Sequence, residues 1–451
     1  MDPQDDAVLI NSQKRRRRYT VNGIIVLGKQ IFQIGMLAVD SVVGEFFSYS
    51  KKVKISIFIL LIFAAGFAFA GLQVILLGLG FTDLNNIMGW GIWIAGDLSL
   101  IVLGGGAFFT SFILYIFRRD EFQPIINSAI LIGLLCYAFT FMFLLFDVGQ
   151  PLRVPFAYIY PNWGEHLLPN SMLTEVIFCI TLYFTILVIE FTPIVLEHPF
   201  LDKNPIIHKI THYMHKLMWI AAAVGTFLSF FHQGSLGGTY GILFAKPGWY
   251  RPEVFTHIPH TFFIFVLSAV SVGPSFTVLV TWFAGKMKKV EVVPFKTYVS
   301  LARVSGFMFI IYFIYRMWDV YSMSAEFVPL FDRSYLDLWG GPFGLWMLVL
   351  ELVACFIPVI LLNIRKFRET EKTLIIGVGS ATLGMIMNRV NATIHGFSVP
   401  NFPWKEFQSY SPTVQEWFLT LGIFASMALV YMLCSKYLPL YPNIEKQEKV
   451  A

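Results

Sequence analysis

Charge is scarce in this chain: only 14% of its 451 residues are Asp, Glu, Lys or Arg, where a soluble protein carries about 25%. The shortage runs along the whole length, so no stretch is polar enough to form a water-soluble domain. Cysteine is scarcer still. Cys136, Cys179, Cys355 and Cys434 each sit inside an apolar run without CxxC spacing, which excludes a disulfide scaffold, a c-type haem and an iron–sulfur cluster of the chain's own. They read as small core residues. The basic residues fall in discrete clusters rather than on one stripe, which excludes nucleic-acid binding. No cleavage site follows a short apolar core near the N-terminus, and the KRRRR run at 14–18 lacks a twin-arginine context, so the whole chain is expected to stay in the mature protein.

What the chain has is apolar length. Hydrophobic residues make up 56% and aromatics 17%, and the mean hydropathy is +0.66. About 20 apolar residues cross a bilayer as a helix. Ten segments reach that length, at roughly 55–80, 90–117, 124–147, 170–193, 214–234, 255–284, 297–320, 340–363, 373–391 and 413–438. The expected fold is an all-α, multi-pass integral membrane protein. Of the 33 Lys and Arg, only Arg153, Lys246, Arg251, Arg333 and Lys405 fall on one side of these helices, and Arg303, Arg316 and Arg389 lie within them. The rest flank the other side. Cytoplasmic loops hold the excess of Lys and Arg, so both termini are expected in the cytoplasm. Residues 1–50 read as a basic leader whose stretch 20–47, interrupted by Lys29, Gln30, Gln33 and Asp40, forms an interfacial amphipathic helix. Residues 51–440 form the transmembrane domain, and 441–451 a cytoplasmic tail.

An ionisable side chain at membrane depth is costly unless paired or hydrated, and is a functional candidate for that reason. With the topology above, Asp97, Asp147, Glu175, His232, His257, His260, Arg316, Asp319 and Arg389 all fall in the outer third of the membrane. Asp147 and Asp319 are equally readable as ordinary helix-end residues, His257 and His260 as interfacial ones, and Arg316 with Asp319 as a neutralising pair. Asp97, Glu175 and His232 interrupt apolar runs that would be more stable without them. Deeper in, Glu351 and Arg303 read as a structural ion pair, or as steps with Glu190 in a proton path. A transmembrane b-haem needs two histidines at matching depth, and no such pair is found in mid-membrane. Electron chemistry here would therefore use a diffusible membrane carrier, a quinone. Such a carrier needs proton-exchanging groups near its oxygens and an apolar slot open to the bilayer. A proton- or anion-coupled transporter would show a similar pattern.

Several of these residues stand in strings that resemble the NrfD/polysulfide-reductase membrane-subunit family, in particular its HybB-type, Ni/Fe-hydrogenase-associated branch. GIWIAGDL at 91–98 is similar to its GxWIAxDL segment, followed here by Gly104 to Gly106 and by Phe117-Arg118-Arg119. Asp147-Val148-Gly149, then Asn170-Ser171 to Glu175, then Glu190-Phe191-Thr192-Pro193 look like its D-x-G, N-S-x-x-x-E and E-F-x-P series. HQGSLGG at 232–238 is similar to its HQSSxGS segment. The likeness covers about residues 50–440 in matching order. Two departures stand out: the family's Arg after D-x-G is Gln150 here, with Arg153 three residues on, and small polar residues around His-Gln are Gly234 and Gly238.

The resemblance implies two four-helix bundles, helices 2–5 and 6–9, flanked by helices 1 and 10. It implies a quinone-reactive inner-membrane subunit without haem, metal or iron–sulfur cluster of its own, using menaquinone or ubiquinone. Its partner would be a periplasmic-side ferredoxin-like iron–sulfur subunit linked to a hydrogenase, molybdoenzyme or multihaem cytochrome. His232, Asp97, Glu175 and Asp147 fall at the family's proton-handling positions, and Trp93, Gln233, Ser235, Asn170 and Arg153 at or beside its quinone-binding ones. A secondary transporter and a passive anchor without a quinone site are the competing readings.

Overall fold

The computed structural model describes residues 51–159, 171–242, 253–255, 258–400 and 404–441. The expected amphipathic helix at 20–47 and most of the tail lie outside the described residues. Ten helices are long and apolar enough to cross a membrane: α1 Val53–Leu77, α2 Ile92–Tyr115, α3 Ile126–Asp147, α4 Leu173–Leu196 and α5 Pro205–Gly241. They continue with α6 Thr261–Lys288, α7 Phe295–Glu326, α8 Gly344–Leu361, α9 Glu371–Ser398 and α10 Val414–Tyr437. The protein is a multi-pass, all-α integral membrane protein. The strands among the described residues are a short antiparallel pair, Glu253–Phe255 with Ile258–Pro259.

The chain divides into two compact units, Met1–Ile59 and Leu60–Ala451. In the first, the described residues are the opening turns of α1. In the second, α2 packs against α3 and α5, and α4 against α3 and α5. Likewise α6 packs against α7 and α9, and α8 against α7 and α9. α2 also packs against α6 and α9, α5 against α6, and α10 against α2 and α3. Without a hydrophobic force between helices in lipid, small residues that let backbones meet decide such contacts. The α2–α6 crossing is the tightest case: a Cβ on Gly273 would collide with the Gly106 nitrogen, so only glycine fits.

Three helices run past the ends expected from the sequence. HQGSLGG reads as a helix end, because glycine breaks helices, yet α5 continues through it to Gly241. Its glycines make room for a neighbour instead: Thr261 donates from Oγ1 to the Gly237 carbonyl at 2.6 Å, and a Cβ on Gly237 would collide with the Thr261 carbonyl oxygen. α7 and α9 are prolonged by π-helical turns, Met323–Phe327 and Asn391–His395. Such turns widen the helix at places that are frequently functional.

Candidate functional site

The polar residues collect where α2, α4, α6, α8 and α10 begin and where α3, α5, α7 and α9 end. Asp97 is buried in the second turn of α2. Thr140 of α3 lies beside it, but neither Thr140 Oγ1 nor Asp97 Oδ1 closes a hydrogen bond. Asp147, the last residue of α3, is within electrostatic reach of Asp97 and has an unbonded Oδ1 of its own. His232 of α5 is fully buried, and neither ring nitrogen has a hydrogen-bond partner, although the Val176 backbone of α4 stands beside the ring.

Tyr137 joins these groups. Its ring is 5.7 Å from that of His232 and 4.6 Å from that of Tyr183, and its hydroxyl accepts from Gln233 Nε2 at 3.5 Å. The same Gln233 nitrogen donates to the Ile101 carbonyl at 2.9 Å, while Gln233 Oε1 is unbonded. One turn further along α5, Ser235 donates to Glu175 Oε1 at 2.5 Å. Glu175 is held in the first turn of α4, whose N-cap Ser171 accepts from the Thr174 nitrogen at 3.2 Å.

The remaining expected residues are placed differently. Trp93 is buried, and its indole donates to the Glu416 carbonyl at 3.2 Å. Arg153 is exposed, apart from the buried groups, on a cleft of about 800 Å³ that Leu77, Leu79, Val148 and Gly149 also line. The cleft's lining includes Val148, the residue after Asp147. Asn170 and His257 lie outside the described residues.

Sequence reasoning missed Glu416, although Thr413-x-x-Glu416 before an apolar run is a capping-box signal. Its fully buried carboxylate accepts from the Thr413 nitrogen at 2.9 Å, the Asp83 nitrogen at 3.1 Å and the Tyr410 hydroxyl at 2.5 Å. Tyr410 in turn accepts from the Ile92 nitrogen at 2.9 Å. Burial, and after it the Glu416 carboxylate, push the Tyr410 hydroxyl up from its ordinary range, so it stays a donor. This latch fixes the start of α2 against α10. Glu416→Ala leaves three donors without their acceptor at about 1–3 kcal/mol each, so thermal unfolding is expected at a clearly lower midpoint. An unchanged midpoint would remove the latch.

A second polar group lies at the same end of α6 to α9, and here the carboxylates are satisfied. His260 Nε2 meets Asp319 Oδ1 at 2.5 Å, and Asp319 Oδ2 accepts from Arg316. Glu351 Oε1 accepts from Arg316 Nε and Asn388 Nδ2, both at 2.9 Å, and Oε2 from Asn391 at 2.7 Å. Arg389 donates to Asn388 Oδ1 at 2.7 Å and Ser268 Oγ at 2.5 Å, with its guanidinium 3.7 Å over the Phe265 ring. The expected Arg303–Glu351 pair does not form: Arg303 is exposed, and Arg316 is the cation on Glu351. His260, expected at the interface, is buried. His395, which the sequence did not single out, is buried and stacked 3.9 Å from Trp339. Among the described residues no group of three or more His, Cys, Asp or Glu is arranged to hold a metal ion.

Comparison with known proteins agrees with the motif strings. A model of the family described as "Polysulphide reductase, NrfD" matches residues 80–400. The chain is 39% identical over 401 residues to the menaquinone reductase integral membrane subunit of Nitratidesulfovibrio vulgaris, covering 88% of this chain and 93% of that one. It is 25% identical over 381 residues to the probable Ni/Fe-hydrogenase 2 b-type cytochrome subunit of Escherichia coli K12, covering 82% and 88%. It is 23% identical over 424 residues to a selenate reductase subunit of Mesobacillus selenatarsenatis, covering 83% and 90%.

Proposed function

The chain belongs to the polysulphide reductase, NrfD family, and from that premise we propose that it is the quinone-reactive membrane subunit of a respiratory oxidoreductase complex. One observation carries this reading. Asp97 and His232 are buried with unbonded polar atoms beside Tyr137, and half-buried Asp147 adds an unbonded Oδ1 within electrostatic reach of Asp97, while Asp319 and Glu351 of α7 and α8 are fully bonded. Buried polar groups without partners are rare and mark strained, catalytic or ligand-binding positions.

Menaquinone or ubiquinone is a diffusing substrate here. The cleft past the end of α3, lined by Leu77, Leu79, Val148 and Gly149 with Arg153, offers a largely apolar slot for the ring and tail. His232, Asp97 and Asp147 are the groups that exchange protons with the quinone oxygens, and Glu175, anchored by Ser235, is a further acceptor. Electrons then pass to or from a docked iron–sulfur subunit that serves a hydrogenase, molybdoenzyme or cytochrome. The names of the relatives support a partner of this kind. The distribution of Lys and Arg supports an orientation with this end at the periplasmic face of a bacterial inner membrane and both termini cytoplasmic. The helix contacts support two four-helix bundles, α2–α5 and α6–α9.

One relative is named for a b-type cytochrome. A b-haem requires two imidazoles free to ligate iron, and the buried residues here fit it poorly. The buried histidines of the described residues stand on different helices, His232 against Tyr137, His260 against Asp319 and His395 against Trp339, rather than facing one another.

Photolabelling the complex in liposomes with an azido-menaquinone tests the site. Label is expected on peptides carrying residues 75–79 and 148–153 and on α5 around His232. Label confined to α6–α9 would contradict the assignment.

A further inference from the structure

The far ends of α7 and α8 carry a second feature, unconnected with proton exchange. Arg303 lies eight residues into α7, about 12 Å along the axis at 1.5 Å per residue, and its side chain is exposed. Among the described residues its guanidinium forms no ion pair. α7 has 32 residues, about 48 Å at 1.5 Å per residue, so both its ends overhang a hydrocarbon layer of ~30 Å. An outward-facing Arg303 lies near the edge of that layer, where it needs an anion or the headgroup layer.

Arg368 stands within electrostatic reach of it, and Arg365 within reach of Arg368. Arg368, 8% exposed, donates from Nη1 to the Leu362 and Asn363 carbonyls at 2.8 and 2.9 Å, closing the end of α8. Arg303 and Arg365 are within electrostatic reach of Arg368, and Glu369, which Arg365 binds at 2.8 Å, is the acid opposing them. Burial first, and then Arg303, push the Arg368 guanidinium down. Positive charge is in excess here.

The same face of α7 is apolar above the arginines. Phe307 is 58% exposed, and Ile311, Ile314, Tyr315 and Trp318 line a groove of about 470 Å³ with no polar lining. Steps of three or four residues from Arg303 to Phe307, Ile311, Ile314 and Trp318 put them on one stripe. One leaflet's hydrocarbon is about 15 Å deep, half of ~30 Å. A chain starting at Arg303 therefore ends at Ile311 and Ile314.

We infer that an anionic phospholipid occupies this face, its phosphate held by Arg303 and Arg365 at the rim of Arg368 and one acyl chain lying over Phe307 into the groove. Basic pockets between transmembrane helices recognise such headgroups by charge. Excess positive charge favours an anionic over a zwitterionic lipid, and the groove favours a lipid over free phosphate.

Trp318 on the groove wall reports occupancy. The full chain in its complex is reconstituted in vesicles containing phosphatidylglycerol or phosphatidylcholine with brominated chains, and Trp318 quenching is read as the difference from Trp318→Phe. About tenfold preference for phosphatidylglycerol is expected, falling about fivefold in Arg303→Gln, with millimolar inorganic phosphate without effect. Equal quenching by the two lipids in the wild-type protein overturns the inference without relying on any arginine variant. So does an Arg303→Gln protein that keeps the wild-type preference, or loss of the phosphatidylglycerol signal on adding inorganic phosphate.

Discussion

His232→Ala is expected to cut electron exchange with quinone by about 10²- to 10⁴-fold, the usual worth of a positioned acid–base group, while the complex still assembles. The imidazole is fully buried yet forms no hydrogen bond through either nitrogen. Truncating it therefore breaks no side-chain hydrogen bond of the fold and removes the imidazole placed to exchange a proton with the quinone. Its neighbours stay in place, because Tyr137 is held by Tyr183 and Gln233 and because Gln233 is anchored on the Ile101 carbonyl. The measurement is quinol-linked turnover of the reconstituted complex, with the partner's dye-linked activity as a control for assembly. Unchanged quinol turnover would favour the passive-anchor reading over the quinone site.

Depth along the helices is legible in the sequence; direction around them is not. A residue's height follows from its count into an apolar run, so the layer holding Asp97, Asp147, Glu175, His232, Arg316, Asp319 and Arg389 can be drawn from spacing alone. Which of these face one another depends on how each helix is rotated in its packing. For that reason spacing pairs Glu351 with Arg303, whereas the structure gives it Arg316, Asn388 and Asn391. Helix ends are misread where two meanings of one residue compete. Glycine at 234–238 signals a stop in an isolated helix but permits close approach in a packed one, as at Gly237 against Thr261. The π-helical turn Asn391–His395 has no sequence period to announce it, and His395 is hidden with it. Glu416 is readable from its capping box, but more conspicuous intramembrane charges obscure it.

Arg316→Met is the substitution expected to damage the fold most. It removes the cation that Asp319 and Glu351 share at full burial, leaving Asp319 to His260 and Glu351 to the amides of Asn388 and Asn391, without the guanidinium that balances both charges. Breaking a buried ion pair from one side costs about 3–5 kcal/mol, a large part of a typical stability of about 5–15 kcal/mol. The expected result is little or no assembled complex in the membrane. Because that cost comes from stranded charge rather than from lost packing, it is reversible by removing the charge. Arg316→Met combined with Asp319→Asn and Glu351→Gln keeps one amide oxygen at position 351 to accept from Asn388, while Asn391 can turn its unbonded Oδ1 to accept from the new amide nitrogen. This triple variant is expected to recover most of the yield and unfolding midpoint. The same logic distinguishes the two halves of the protein. Asp97→Asn breaks no hydrogen bond at Oδ1, since none is made there, so its effect should fall on quinone turnover and not on assembly. If Arg316→Met assembles like the wild type, or if the triple variant is no better than the single one, then the α6–α9 cluster is not a closed ion-pair network. In that case its histidine–aspartate pair becomes a rival to His232 as the proton-exchanging centre.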